Sequence, residues 1–300
     1  DGKGDDRIIY VTIGYRLVQL NAKTGQPIAT FGKNGVVDLK EGVVYGKLLN
    51  GKWQQVPIPL VEGEIGTNST PLVVNDMVIV GSSMAEGLGY NYSTNAKGLV
   101  RAFDVRTGKL TWTFHTVPRP GEYGYDTWPP EAWKTVGGAN AWGELTIDEP
   151  RGIVYVPTGS PKYNFYGGNR IGANLFGDCL IALDARTGKR IWHFQMVHHD
   201  IWDYDNATAP KLLTVRHNGQ TVDVVAQAGK TGFLYVFNRV TGEPLWPIEE
   251  RPVPKSDMPG EQAWPTQPFP TAPPPFARQS FTKKDLGPYI EDPAERARFL

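Results

Sequence analysis

One short pattern occurs four times in this chain, and it limits the possible folds more than any other feature. The copies are LVQLNAKTGQPIATF (17–31), LVRAFDVRTGKLTWTF (99–114), LIALDARTGKRIWHF (180–194) and FLYVFNRVTGEPLWPI (233–248). Each reads as a strand, a Thr-Gly turn and a second strand. The turn glycines Gly25, Gly108, Gly188 and Gly242 stand 83, 80 and 54 residues apart, so a common unit carries insertions of unequal length. Ahead of three copies lies another pair of β-rich runs: 71–82 around Asn75-Asp76, 144–159 around Glu149-Pro150, and 212–227 around Asn218-Gly219. Asn-Gly between alternating residues is a strong hairpin signal. Two hairpins per unit make a four-stranded antiparallel blade that cannot bury both faces alone. This predicts an all-β fold, a β-propeller rather than a two-sheet sandwich. Trp112, Trp192 and Trp246 each follow their turn glycine by four residues, which predicts tryptophans docking between neighbouring blades.

Counting hairpins gives about four blades, the first lacking its leading pair. Residues 250–280 are proline-rich and read as a loop from which no strand returns to complete the first blade. The expectation is one partial propeller domain over residues 1–300, roughly half of an eight-bladed ring. The chain lacks an initiator methionine, which fits a processed or excised piece.

Thirty-one basic residues offset 31 acidic ones, so no net field of one sign draws nucleic acid or an anionic membrane to the surface. Cys179 is the sole cysteine, which excludes an internal disulfide and any multi-cysteine metal site. No run approaches the roughly 18 apolar residues of a membrane-spanning helix. Gly 34 and Pro 25 suit many short strands joined by tight turns.

Residues 198–206, HHDIWDYDN, concentrate acid and imidazole beside an indole. A zinc site on His198, His199 and Asp200 is disfavoured, because consecutive side chains of extended backbone point to alternate sides. The two histidines read as hydrogen-bonded rim residues and Asp200 as a turn cap.

The A-x-D-x-x-T-G-K-x-x-W unit at Ala182 to Trp192, together with HHDIWDYD, resembles the quinoprotein dehydrogenases, most closely the membrane-type glucose dehydrogenase and quinoprotein alcohol dehydrogenase propellers. That resemblance implies an eight-bladed ring holding pyrroloquinoline quinone (PQQ) and a metal ion, Ca2+, Mg2+ or a lanthanide. It implies Trp142 as the floor beneath the quinone, with Ser160, 18 positions later, where the family carries a metal-ligand asparagine. Asn164 or Asn169 could stand in for that amide. Asp203 in IWDY and Lys230 in AGKTGF are 27 apart, the family spacing of the catalytic aspartate and the basic residue on the quinone. Asp205 is implied as a further metal ligand, and Asp203 itself touches the metal. GSSMAEGLG offers Ser83 for the quinone and Glu86 for the metal, and Asn140 occupies a quinone-contacting position held by threonine in the methanol enzymes.

The family chemistry is oxidation of an alcohol or aldose by hydride transfer to the quinone C5 carbonyl. Asp203 acts as general base, and Lys230 donates a charged hydrogen bond to the carbonyl oxygen as it gains charge. The resemblance further implies a quinone or cytochrome c as electron acceptor, a periplasmic location, and membrane association only through parts outside this chain. Two other readings use the same residues: a non-catalytic binding propeller of the outer-membrane assembly type, and a truncated, inactive quinoprotein.

Overall fold

The computed structural model describes residues 4–59, 69–82, 96–286 and 290–299. The chain opens with a three-stranded antiparallel sheet, β1 (Arg7–Val11), β2 (Arg16–Asn21) and β3 (Val36–Asp38), followed by a hairpin of β4 (Val44–Leu49) and β5 (Lys52–Pro57). Two four-stranded sheets follow. One holds β6 (Leu72–Val74), β7 (Met77–Gly81), β8 (Leu99–Asp104) and β9 (Leu110–His115); the other holds β10 (Thr146–Asp148), β11 (Ile153–Pro157), β12 (Cys179–Asp184) and β13 (Arg190–Gln195). A fourth sheet has β14 (Lys211–His217), β15 (Gln220–Ala228) and β16 (Leu234–Asn238), and a final hairpin pairs β17 (Ile248–Pro252) with β18 (Thr266–Pro270). This is the meander of propeller blades that the repeat predicts. Among the described residues no helix is long and apolar enough to cross a membrane.

The sheets stack face on face, and the period of two along their central strands shows how. Val154 and Val156 of β11 join Ile79, Val100 and Trp112 of the preceding sheet in one cluster. Ile153 and Tyr155, between and beside them, join Val225, Tyr235 and Phe237 of the following sheet in another. Every residue of β7 and of β11 is buried, which is why these strands read as unbroken apolar runs rather than alternating ones. Tyr15, Leu17 and Phe31 close the first joint against Val78, Val80 and Phe103.

Each Thr-Gly turn is built locally. The Asp184 carboxylate accepts the N–H groups of Arg186 and Thr187 at 3.1 and 2.8 Å and the Thr187 hydroxyl at 2.8 Å. Asn21, Asp104 and Asn238 organise the other three turns in the same way. The tryptophan of one sheet then docks on the turn of the next. Trp112 Nε1 donates to the Ala185 carbonyl at 3.0 Å, and Trp192 Nε1 donates to the Arg239 carbonyl at 3.2 Å. A Cβ on Gly188 would sit 2.5 Å from the Trp112 ring, and one on Gly242 would sit 2.6 Å from that of Trp192, so glycine is required under each indole. Across the sheet these indoles face alanines, Ala102 opposite Trp112 and Ala182 opposite Trp192, which leave the ring room to lean outward. At the first joint two residues share the work. Gln19 Nε2 donates to the Val105 carbonyl at 2.8 Å, and Phe31 lies against Gly108.

Three details depart from the sequence expectation. In the first copy no paired strand follows the Thr-Gly turn: a single bridge joins Leu20 to Pro27, and the third strand forms only at β3. A leading strand, β1, precedes that copy. In the fourth copy a bridge joins Phe237 to Pro244 before the chain leaves the sheet, because Pro244 and Pro247 lack the N–H that a ladder needs. Trp246 packs beside its own sheet, in a cluster with Val215 and Val222 and edge-on to His217. Part of the proline-rich stretch expected as a loop is the β17–β18 hairpin. Its residue Pro268 accepts the Tyr235 hydroxyl at 2.9 Å.

Candidate active site

Four connecting segments meet at one end of the third and fourth sheets. They are the stretch before β10, the β11–β12 loop, the β13–β14 loop and the β15–β16 turn. Lys230 lies in that last turn, and its N–H donates to the Asp205 carbonyl at 3.2 Å. Although 27 residues separate Asp203 from Lys230, β14 and β15 between them run out and back as a hairpin, so the chain returns to where it left. The Lys230 ammonium contacts Asp203 Oδ2 at 2.8 Å and Asp205 Oδ2 at 2.7 Å.

The other oxygen of each carboxylate is also used. Asp203 Oδ1 accepts the Asn164 amide at 2.6 Å, and Asp205 Oδ1 accepts the Ser160 N–H at 2.7 Å. The side chain of Asp205 is only 6% exposed, while those of Asp203 and Lys230 are 29% and 39% exposed. Burial pushes the Asp205 carboxyl above its usual range and the neighbouring Asp203 charge adds to that, against the hydrogen bonds from Lys230 and Ser160. Burial works against the Lys230 ammonium, but its two carboxylate partners together hold it above the ordinary lysine value. Two carboxylates against one ammonium leave one negative charge over, which is the electrostatic setting of a cation site.

Trp142 and Gly159 complete the floor. A Cβ at Gly159 would fall 2.2 Å from Asp205 Oδ1 and 3.0 Å from Trp142 Nε1, so the acid and the indole approach over a bare Cα. Trp142 is 37% exposed, an open flat surface beside the aspartates. Asn140 is buried, and its carbonyl accepts the Gly159 N–H at 2.9 Å. Ser160 is buried; its hydroxyl donates to the Pro161 carbonyl at 3.3 Å, and it favours the charged form of Asp200. Of the two amides considered as stand-ins for the family asparagine, Asn164 is at the site and Asn169 is exposed. Ser83 and Glu86 lie outside the described residues. Among the described residues no group of three or more His, Cys, Asp or Glu side chains is set to hold a metal.

The rest of HHDIWDYDN is structural. His198 contacts Gln195 Oε1 at 2.8 Å and Glu250 at 3.0 Å, while His199 contacts the Gly172 carbonyl at 2.8 Å and Glu261 at 2.7 Å. The two rings thus have separate partners. Asp200 caps the turn, accepting the N–H groups of Trp202 at 2.9 Å and Tyr204 at 2.7 Å. Burial pushes its carboxyl up to about 6, against those hydrogen bonds.

Several buried cations escaped the sequence reading, Arg170 and Lys97 among them. Arg170 is fully buried and bonds the carbonyls of Tyr163 and Asp200 and the Asn174 side chain; burial pulls it down to about 10, against the charges of Asp200, Asp178 and Glu261. Lys97 is 4% exposed and is pulled down to about 7 by burial and then by the Arg119 charge. Both sit in irregular segments, where no periodicity separates an inward charge from a solvated one.

The family model for the PQQ glucose/ethanol/alcohol dehydrogenase β-propeller domain matches residues 1–298. The quinate/shikimate dehydrogenase (quinone) of Acinetobacter baylyi is 34% identical over 93% of this chain and 32% of its own length. The quinoprotein glucose dehydrogenase of Escherichia coli is 33% identical over 87% of this chain and 30% of its own length. The structure of a europium-containing methanol dehydrogenase superposes with a TM-score of 0.61 at 25% identity, covering 81% of this chain and 39% of that one. The chain therefore spans about a third of the length of these curated relatives. By the match over nearly its whole length, this chain belongs to the family of PQQ-dependent glucose, ethanol and alcohol dehydrogenase β-propellers.

Proposed function

We propose that the protein containing this chain oxidises an alcohol or an aldose in a PQQ- and metal-dependent reaction. The observation that carries this reading is the convergence of Asp203 and Asp205 on the Lys230 ammonium, at 2.8 and 2.7 Å, beside the open face of Trp142. The donor set fits the group. A planar cofactor can lie on the indole, and oxygen donors in excess of positive charge suit Ca2+, Mg2+ or a lanthanide. Asp203, Asp205, Ser160 and Glu86 would hold the metal, while Trp142, Lys230, Asn140 and Ser83 would hold the quinone. When bound, PQQ supplies the hydride acceptor and the metal the Lewis acidity.

The chain's own groups handle the proton. Asp203 is the more exposed carboxylate, and Asn164 fixes one of its oxygens, so it is the one placed to take a hydroxyl proton from substrate. Lys230 stays an ammonium at neutral pH and is a standing donor for an oxygen that gains charge. The electron acceptor is a quinone or a cytochrome c and the compartment the periplasm, as family membership suggests. One curated relative is itself named as quinone-linked.

The test is dye reduction by the full-length protein, loaded with PQQ and Ca2+ or a lanthanide, over a panel of alcohols, aldoses and quinate-like cyclic alcohols. Asp203→Asn should lower kcat by about 10²- to 10⁴-fold, the usual worth of a general base. Absence of turnover in the loaded wild type, or an Asp203→Asn variant with wild-type kcat, would refute the reading.

A further inference from the structure

Asp203 has a backbone φ of +60°, in the left-handed region that a residue with a Cβ enters only when its surroundings hold it there. Asp200, 1% exposed and three residues earlier, supplies the hold. One of its oxygens accepts the Trp202 N–H at 2.9 Å and the other the Tyr204 N–H at 2.7 Å, so the residues on either side of Asp203 hang from one carboxylate. Ser160 lies beside the same unit: its hydroxyl donates to the Pro161 carbonyl at 3.3 Å and favours the Asp200 anion, while its N–H donates to Asp205 Oδ1 at 2.7 Å. The chain entering the turn is fixed in its own right, since Arg170 donates to the Asp200 carbonyl and His199 contacts Glu261 of the β17–β18 connection at 2.7 Å.

We propose that Asp200 is a positioning residue which sets the direction of Asp203 and does not itself touch substrate or cofactor. The inference rests on the reading of Asp203 as the base. Drawing the two flanking N–H groups to one side leaves the Asp203 side chain to the other, where Asn164 and Lys230 receive it. Remove the anion and two N–H groups lose their acceptor, nothing retains a positive φ at Asp203, and the carboxylate swings with its backbone. A misplacement of about 1 Å at a reacting group costs on the order of a hundredfold in rate.

Asp200→Asn keeps the size of the side chain but leaves one acceptor oxygen for two N–H groups. Asp200→Glu is the milder change, keeping the anion and both acceptor oxygens on a longer stem. In the full-length, cofactor-loaded protein, Asp200→Asn should lower kcat by about tenfold or more with KM within about twofold, the split expected when only transition-state alignment is lost. In the cofactor-free protein, amide exchange at Trp202 and Tyr204 should speed up by about tenfold while the β12 amides keep their rates, a local opening rather than a global one. Asp200→Glu should move both readouts the same way by less, and it carries the test if Asp200→Asn does not fold. Unchanged exchange at the two amides, or faster exchange with unchanged kcat, overturns the proposal. A wild type that does not turn over sinks the functional reading instead, and the exchange arm still decides whether Asp200 holds the turn.

Discussion

Asp203 and Asp205 are two residues apart, share one ammonium, and differ in burial, and that difference divides their chemistry. The exposed one can meet a substrate; the buried one is fixed by Ser160 and fits a ligand's place. The pairing of Asp203 with Lys230 was legible in the sequence because family spacing and a hairpin between them constrain each other, whereas the contact of Asp205 with the same ammonium was not. Arg170 and Glu261 were not legible. The partners of Glu261, Gly167 and His199, stand 94 and 62 residues away and follow no period. His193 gives a prediction at the same scale. Packed edge-on to Phe176 and near Arg190, it is pulled from the ordinary 6.5 to about 4, first by burial and then by the arginine charge. The folded state keeps the ring neutral while the unfolded chain takes a proton near pH 6.5. The stability it contributes is therefore present above that pH and lost as the pH falls from about 6.5 through about 4, by up to about 3 kcal/mol. Thermal unfolding at pH 7 and pH 5 should show a smaller acid-side drop in His193→Phe than in wild type. Equal drops would contradict this.

At the scale of elements, what the sequence displayed was whatever local hydrogen bonds determine. The Asx and Thr contacts of each Thr-Gly turn span three residues, so all four turns stand where the pattern put them. Strands beyond the turns depend on partners far away, and proline at 27 and 244 spoiled two of them. The β17–β18 hairpin was hidden for the same reason, since its prolines read as strand breakers although both strands of this two-stranded sheet are edges, which tolerate them. Docking of the indoles is testable against an internal control. Gly242→Ala forces a Cβ to 2.6 Å from the Trp192 ring at φ +76°, whereas Gly219→Ala meets nothing within 4 Å at φ +80°. Backbone strain of about 1 kcal/mol is common to both, and overpacking should add about 1–3 kcal/mol at Gly242 alone. Equal losses in a denaturant titration would mean that the indole yields freely.

For the whole molecule, the candidate site draws on loops of the third and fourth sheets, so anything that binds there fastens those sheets together. A cation held by Asp203 and Asp205 at about a hundred times its Kd would stabilise the folded state by about 2.7 kcal/mol. The rise in Tm per kcal/mol shrinks with chain length and is below about 2–4 °C beyond about 250 residues, so the full-length protein should gain about one to a few degrees. Scanning fluorimetry of the full-length protein with Ca2+ or a lanthanide should show it, a chelator should reverse it, and Asp203→Asn/Asp205→Asn should lack it. No shift in the wild type would remove the metal from the proposal.

The β14–β15 arm, with its two-residue tip at Asn218-Gly219, also separates distance along the chain from distance in space. The carboxylates and the ammonium sit at the feet of that arm, and nothing at the tip reports to them. Matched residues added to both rails would push the tip farther into solvent, like sections of a telescoping ladder, with the feet still planted. The number 27 therefore records how tall the ladder happens to be, and kin of other heights can keep the same grip.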